Sequence, residues 1–196
     1  AWPWREALLV GAVLGYAAAT IVRNRAFAND ATLYADMIRK MPRSAKAHYN
    51  RAFDLQRSGK KDEAFPHLVT ATEIFPRYYD AWALRGRLEW DRRSWDEAIR
   101  CYRRSVEIFG TYENGRWGLA KTLEESGRAA EAETAFRDGL KACPDSYPLA
   151  YHHAAFLTAA GRTAEAAPAW ARAVVAGSGT ALARLGRAKG LCAAGE

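Results

Sequence analysis

The chain has 196 residues, of which 49% are hydrophobic and 26% charged, and its formal net charge is +7 at pH 7. With no strand-like alternation, the chain can bury a continuous core by stacking neighbouring elements, which favours one elongated domain over two globular ones. Cys101, Cys143 and Cys192 show no C-x-x-C spacing, which disfavours a disulfide framework, a metal site and a redox site, so no cofactor is expected.

The N-terminal segment contains sixteen residues without a charge, at positions 7–22. A membrane span usually needs about 20 apolar residues, but Trp2 and Trp4 are placed to lie in a membrane interface. We therefore expect residues 1–25 to form a transmembrane anchor helix. The alternatives are a secretory signal peptide, with its cleavage region at 17–19, and a buried helix of a soluble domain.

Small residues recur at every fourth position of this segment, at Ala7, Gly11, Gly15 and Ala19. Such a stripe lets a second membrane helix approach closely. The expected anchor is therefore predicted to have a neighbouring helix in the membrane.

Residues 26–44 carry apolar side chains at helical spacing, and Pro42 ends the pattern. We predict one helix here, which covers the apolar face of the segment that follows. Basic residues cluster near its end, at Arg39, Lys40, Arg43 and Lys46. Beside a membrane anchor they are expected to contact anionic lipid headgroups, and the alternative is an ordinary solvated face.

From residue 45 onwards the sequence repeats with a period of 34 residues. One position of the repeat is occupied by Gly59, Arg93, Gly127 and Gly161. An alanine follows five residues later, at Ala64, Ala98, Ala132 and Ala166. A large side chain comes four residues after that, at Leu68, Tyr102, Phe136 and Trp170. This period with a helix-breaking residue at each turn indicates an all-α solenoid of helix-turn-helix repeats.

The period divides the chain into four repeats, at 45–78, 79–112, 113–146 and 147–180. Residues 26–44 then form an N-terminal capping half-repeat, and residues 181–196 form a C-terminal capping helix. In the second repeat Ser94 precedes Glu97 by three residues, the spacing of a capping box. We predict that this box starts the second helix of that repeat.

These glycine, alanine and large-residue positions resemble the tetratricopeptide (TPR) repeat. The resemblance implies a right-handed superhelix whose first helices line a concave groove that binds a protein or peptide partner. The groove positions are Lys46, Tyr49, Phe53, Arg57, Arg87, Trp90, Trp117, Lys121 and Tyr151. Their aromatic and basic character favours an extended peptide with acidic or aromatic side chains. Alternatively, Tyr49, Trp117 and Tyr151 pack between neighbouring repeats.

The junction before the first repeat resembles that of C-type membrane glycosyltransferases with TPR tails, among them the transmembrane O-mannosyltransferases. The matching residues are Arg23-Asn24-Arg25, Leu33-Tyr34, Pro42 and Ala47-His48-Tyr49-Asn50. The resemblance implies the tail of such an enzyme, presenting substrate or partner proteins, with its repeats in the periplasm or lumen. The arginines after the span argue for the cytoplasmic side instead. The alternative function is a single-span scaffold docked onto a larger membrane complex.

The sequence shows no catalytic constellation, so this chain is not expected to be an enzyme by itself. Its four histidines are His48, His67, His152 and His153. Adjacent helical positions point about 100° apart, so the last two are not expected to chelate one metal ion. No nucleic-acid recognition signature accompanies the basic residues, and nucleic acid is therefore not expected as a partner.

Overall fold

The computed structural model describes residues 3–26 and 30–177. Within these ranges the chain forms ten α-helices and no strand, which confirms the predicted all-α class. The capping helix predicted at 181–196 lies outside the described residues. The chain divides into two compact units, residues 1–76 and residues 77–196.

The first unit contains four helices, α1 (Pro3–Ala26), α2 (Asp30–Lys40), α3 (Ala45–Arg57) and α4 (Lys61–Ile74). The second unit contains α5 (Tyr79–Asp91), α6 (Trp95–Ile108), α7 (Glu113–Glu125), α8 (Ala129–Ala142), α9 (Tyr147–Ala159) and α10 (Thr163–Ala176). The helices from α3 onwards pair as α3 with α4, α5 with α6, α7 with α8 and α9 with α10. The first helix of each pair has 13 residues and the second has 14.

The predicted transmembrane anchor is wrong. Among the helices within residues 3–26 and 30–177, none combines the length and the apolar character that crossing a bilayer requires. A membrane span usually needs about 20 consecutive apolar residues, and the uncharged run at 7–22 has sixteen. Only seven of its sixteen residues are Leu, Ile or Val; the others are Ala, Gly, Thr or Tyr. The predicted membrane location, with the repeats in the periplasm or lumen, was inferred from this segment and is therefore not supported either.

Three of the four helix pairs turn at a glycine in the left-handed region, with φ of 78° at Gly59, 79° at Gly127 and 72° at Gly161. At Gly127 the turn N–H donates to Glu124 O at 3.0 Å, and the next N–H, of Arg128, donates to Leu123 O at 2.9 Å. These two bonds form a Schellman motif, which satisfies the last carbonyls of the helix. Glycine occupies this position because it has no Cβ to oppose a positive φ.

The second repeat makes the same turn with Arg93 at φ 59°. Arg93 N–H donates to Trp90 O, and Ser94 N–H donates to Glu89 O. The predicted capping box is absent, because the Ser94 side chain makes no cap hydrogen bond and Glu97 pairs with Arg100 on its own helix. The backbone turn alone therefore ends α5 and allows α6 to begin.

Arg93→Gly is expected to stabilise the protein by about 1 kcal/mol. The left-handed conformation costs a non-glycine residue roughly 1–2 kcal/mol, and glycine removes this cost. Part of that stabilisation is lost because glycine makes the unfolded chain more flexible. Urea denaturation monitored by circular dichroism measures the change. Gly127→Ala is the matched control and is expected to destabilise by about the same amount. A destabilising Arg93→Gly would show that the arginine side chain contributes more than its backbone costs.

The second unit buries the alanines that the repeat pattern predicts. Ala98, Ala132 and Ala166 are fully buried, because helix axes that cross 8–10 Å apart leave no room for a larger side chain. The large residues one turn later, Tyr102, Phe136 and Trp170, are buried between neighbouring helices. The two sets together supply the core that holds α5 to α10 in one stack.

Candidate functional site

A cavity of about 180 Å³ lies between α5, α6 and α7 of the second unit. It is lined by Arg87 and Trp90 from α5, Tyr102 from α6, and Trp117, Gly118, Lys121 and Thr122 from α7. Residues three or four positions apart share one face of a helix, which is why each of the two first helices contributes a tryptophan and a basic residue to this cavity. The structure thus brings together Arg87, Trp90, Trp117 and Lys121, all predicted as groove residues.

The Tyr102 ring is held between two glycines. A Cβ built on Gly86 would lie 3.1 Å from Tyr102 Cδ2, and one built on Gly118 would lie 2.8 Å from Cδ1 and nearer still to Cε1 and Cζ. The absence of side chains at Gly86 and Gly118 therefore gives the ring the space it occupies. Burial raises the pKa of the Tyr102 phenol far above its ordinary value, so the hydroxyl is neutral at physiological pH.

Two tryptophans that line the cavity have an indole nitrogen without a hydrogen-bond acceptor in the described part of the chain. Trp90 Nε1 and Trp117 Nε1 are both buried, and neither finds a partner among residues 3–26 and 30–177. A buried donor without an acceptor costs about 1–3 kcal/mol. A ligand that placed a carbonyl or carboxylate oxygen near either nitrogen would remove this cost.

The cavity has a basic rim. Arg87 is exposed, and Lys121 Nζ lies 3.1 Å from Glu124 Oε2 and 3.4 Å from Glu125 Oε1 on its own helix. These side chains are partly exposed, with 22–33% of each accessible, and ion pairs at a protein surface contribute at most about 1 kcal/mol. Lys121 can therefore exchange a glutamate for an anionic group of a ligand at little cost.

The other predicted groove residues lie elsewhere. In the first unit, the Tyr49 and Phe53 rings stack with centroids 6.3 Å apart, the Arg57 guanidinium lies 5.9 Å from the Phe53 centroid, and Lys46 is exposed. These side chains form an aromatic and basic stripe along α3. Tyr151 does not line the cavity, since its ring packs edge-on against Trp170 at 5.2 Å. This contact favours the packing interpretation for Tyr151.

The residues predicted to meet lipid or a membrane helix lie in the first unit. Arg39 and Lys40 pair with Asp36, and these two cations lower the pKa of the Asp36 carboxyl. Arg43 and Lys46 are exposed. The predictions for these residues depended on the membrane anchor corrected above.

The helix-packing stripe on α1 has no partner helix within the described residues. A Cβ added at Gly11 or Gly15 would meet no atom within 4 Å, and Ala19 is exposed. The side chain of Ala7 lies outside the described part of the chain. The prediction of a neighbouring membrane helix assumed that α1 spans a membrane, which is not supported.

A second, larger cavity of about 760 Å³ lies between α8, α9 and α10, and His153 contributes to its wall. His153 Nε2 is buried and has no acceptor or donor within the described part of the chain. Burial lowers the pKa of His153 below its ordinary value of 6.5. Arg137, Arg162 and Arg172 lower it further, and Glu133 opposes them.

Because the folded protein disfavours the protonated ring, the unfolded chain binds more protons below about pH 6.5. Stability is therefore expected to be fully present at neutral pH and to fall as the pH is lowered through 6.5. The preceding repeat carries Leu119 at the position of His153. We expect His153→Leu to reduce this loss between pH 7.5 and pH 5.5, measured by thermal unfolding. An unchanged pH dependence would mean that His153 titrates alike in both states.

The arrangement of paired 13- and 14-residue helices places the chain among the all-α helix-turn-helix repeat proteins. Two family models described as tetratricopeptide repeat match residues 49–113 and 113–157. Together they cover more than half of the 196 residues, so the chain belongs to the tetratricopeptide-repeat family.

Similar structures support the same fold. The crystal structure of TTC0263, a thermophilic TPR protein in Thermus thermophilus, matches with a TM-score of 0.68 at 18% identity, covering 91% of this chain and 96% of that one. YrrB, a TPR protein with an unusual peptide-binding site, matches with a TM-score of 0.64 at 14% identity, covering 81% and 82%. MamA matches with a TM-score of 0.67 at 14% identity, covering 73% and 84%. Identities this low show the fold alone.

Among curated proteins, a segment of 62 residues is 32% identical to Protein O-mannosyl-transferase TMTC1 of Homo sapiens. The mouse protein of the same name matches to the same extent. The segment is 32% of this chain and only 7% of either relative. The likeness to these enzymes is thus partial and leaves most of their length unmatched.

Proposed function

We propose that the chain is a protein-interaction module that binds an extended segment of a partner protein at the cavity between α5 and α7, with an acidic side chain of that segment as the anchor. The observation that carries the proposal is the pair of buried indole donors, Trp90 Nε1 and Trp117 Nε1, beside two cations. The similar fold of YrrB, which has a peptide-binding site, is consistent with this function.

The chemistry of the cavity favours a carboxylate over other side chains. Each indole N–H can donate to a carboxylate oxygen, and Arg87 offers a guanidinium for charge-assisted hydrogen bonds, which are roughly twice as strong as neutral ones. The indole rings provide area for the stem of the side chain at a small cost in entropy. A volume of about 180 Å³ suits one anchor residue.

The test uses a library of extended peptides that differ only in one central residue, glutamate or glutamine, with binding followed by fluorescence polarisation. Trp117→Phe keeps the aromatic ring but removes the donor, so we expect roughly tenfold weaker binding of the glutamate peptides, since a hydrogen bond to a charged group contributes about 1.5–3 kcal/mol. Trp82→Phe is the matched control, because Trp82 does not line the cavity. Equal affinities of the two variants, or no preference for glutamate, would contradict the proposal.

A finer function is that the repeats present substrate or partner proteins to a glycosyltransferase of which they are a part. The 62-residue likeness to TMTC1 is the observation that favours it. The intact mass of the native polypeptide, detected with an antibody against residues 79–176, tests this role. A mass far above 21.7 kDa is expected, and a mass near 21.7 kDa would contradict it.

A further inference from the structure

Two histidines meet in the first unit, away from the proposed peptide site. His48 lies on α3 and His67 on α4, and their Nδ1 atoms are 3.1 Å apart. The ring centroids are 5.3 Å apart, with the ring planes inclined by 44°. His48 is only 8% exposed, whereas His67 is partly exposed, so the pair is accessible from the His67 side.

The carbonyl oxygen of Pro42 determines which ring nitrogens of the pair carry protons. His48 Nε2 lies 3.1 Å from Pro42 O, and a carbonyl oxygen can only accept, so Nε2 carries a proton and donates it. In the neutral ring the Nδ1 of His48 therefore holds a lone pair. The proton in the contact between the two Nδ1 atoms must come from His67.

We propose that His48 and His67 bind a divalent transition-metal ion through their Nδ1 atoms, once the proton between these atoms has moved to His67 Nε2. Imidazole nitrogens bind Zn²⁺ and Cu²⁺ at about 2.0–2.1 Å. An ion at that distance from two nitrogens 3.1 Å apart makes an N–metal–N angle of about 100°. This angle lies between the roughly 90° of a tetragonal site and the roughly 109° of a tetrahedral one.

The bond from His48 Nε2 to Pro42 O supports this assignment. A metal-binding histidine usually donates its other ring N–H to a carboxylate or a backbone carbonyl, which fixes the ring and directs its lone pair to the ion. His67 needs only to move its proton from Nδ1 to Nε2, so binding releases no proton from the neutral pair. The ion is then held by two imidazoles, and water completes its coordination.

The charges around the pair set the strength of the site. Besides His48, the charged side chain that acts on His67 is Arg51. The positive charge of Arg51 repels a bound metal ion, but Asp54 Oδ2 lies 3.5 Å from Arg51 Nη1 and offsets part of that charge. Within the described ranges, no group of three or more His, Cys, Asp or Glu side chains is placed to hold an ion. Two protein ligands without a third predict moderate affinity.

The test is isothermal titration calorimetry of the complete chain with ZnCl2 and, separately, with CuCl2 at pH 7.5. MgCl2 is the control, because Mg²⁺ prefers oxygen ligands to imidazole. We expect one equivalent of Zn²⁺ or Cu²⁺ per chain and no binding of Mg²⁺. His67→Gln should weaken binding at least tenfold, whereas His152→Gln, which removes a histidine of the other unit, should leave it unchanged.

Two outcomes would overturn the metal site. Binding that persists in His67→Gln would place the ion elsewhere, on the thiols for example. No binding of either ion by a folded wild-type chain would mean that the pair serves only as a hydrogen bond between α3 and α4. The inference does not rest on the peptide function, since the two sites lie in different units and their tests use different probes.

Discussion

Phe136→Ala is expected to destabilise the protein by about 3–5 kcal/mol, through lost burial and the void left behind. The side chain is fully buried in the core of the second unit, where it packs with Leu140 and Leu149. Its ring centroid lies 5.9 Å from that of Phe156 and 5.8 Å from that of His153. Neighbours on α8 and α9 would have to move inward to fill the space, and close-packed interiors relax only partly.

Urea denaturation measures this loss, and Phe109→Ala is the matched control. Phe109 is 44% exposed, and its ring centroid lies 4.9 Å from that of Tyr79 and 6.3 Å from that of Tyr112. Losing the pair with Tyr79 should cost about 1 kcal/mol. A similar loss in both variants would contradict the central place of Phe136 in the core. A smaller urea slope for Phe136→Ala would indicate that the second unit has lost cooperativity along with stability.

The helix pairs could be predicted from the sequence because each repeat position has a local physical cause. Glycine marks a backbone turn that needs a positive φ, and alanine marks a crossing of two helices. Even Arg93, which departs from the pattern, adopts the same turn, because the period and the core around it determine the path of the chain. The family comparison confirms this part of the interpretation.

The wrong predictions inferred a property of a whole segment, or a side-chain contact, from a local sequence pattern. The uncharged run at 7–22 indicated a span, but no helix among the described residues is long and apolar enough to cross a bilayer. The capping box at Ser94 failed because Glu97 has Arg100 within reach on its own helix. A spacing shows which bonds are possible, and it does not decide between competing partners.

The cavity was only partly predictable. Four of its residues follow from their position on the first helix of a repeat, whereas Gly118 does not, since Leu84 and His152 occupy its position in the adjacent repeats. Its role depends on the Tyr102 ring of another helix. The contact between His48 and His67 was missed for a similar reason, because the two residues are 19 positions apart and meet only when α3 packs on α4.

Gly118→Ala is expected to destabilise the protein by about 2 kcal/mol, although alanine is the better helix former. Helix propensity alone would favour alanine by about 1 kcal/mol. The new methyl group, however, would lie 2.8 Å from Tyr102 Cδ1 and nearer still to two other ring atoms. Gly86 bounds the ring on its other side, so the ring has little space to withdraw. Overpacking of this kind typically costs about 1–3 kcal/mol.

A double-mutant cycle with Tyr102→Leu separates the two effects. Leucine has no ring to meet the methyl group, so in that background Gly118→Ala should be neutral or stabilising by up to about 1 kcal/mol. Stabilisation by Gly118→Ala in the wild-type background would show that the ring does not rest on the α7 backbone. If the single variant keeps its stability but loses glutamate-peptide binding, the ring has moved into the cavity, because that is the open space beside it.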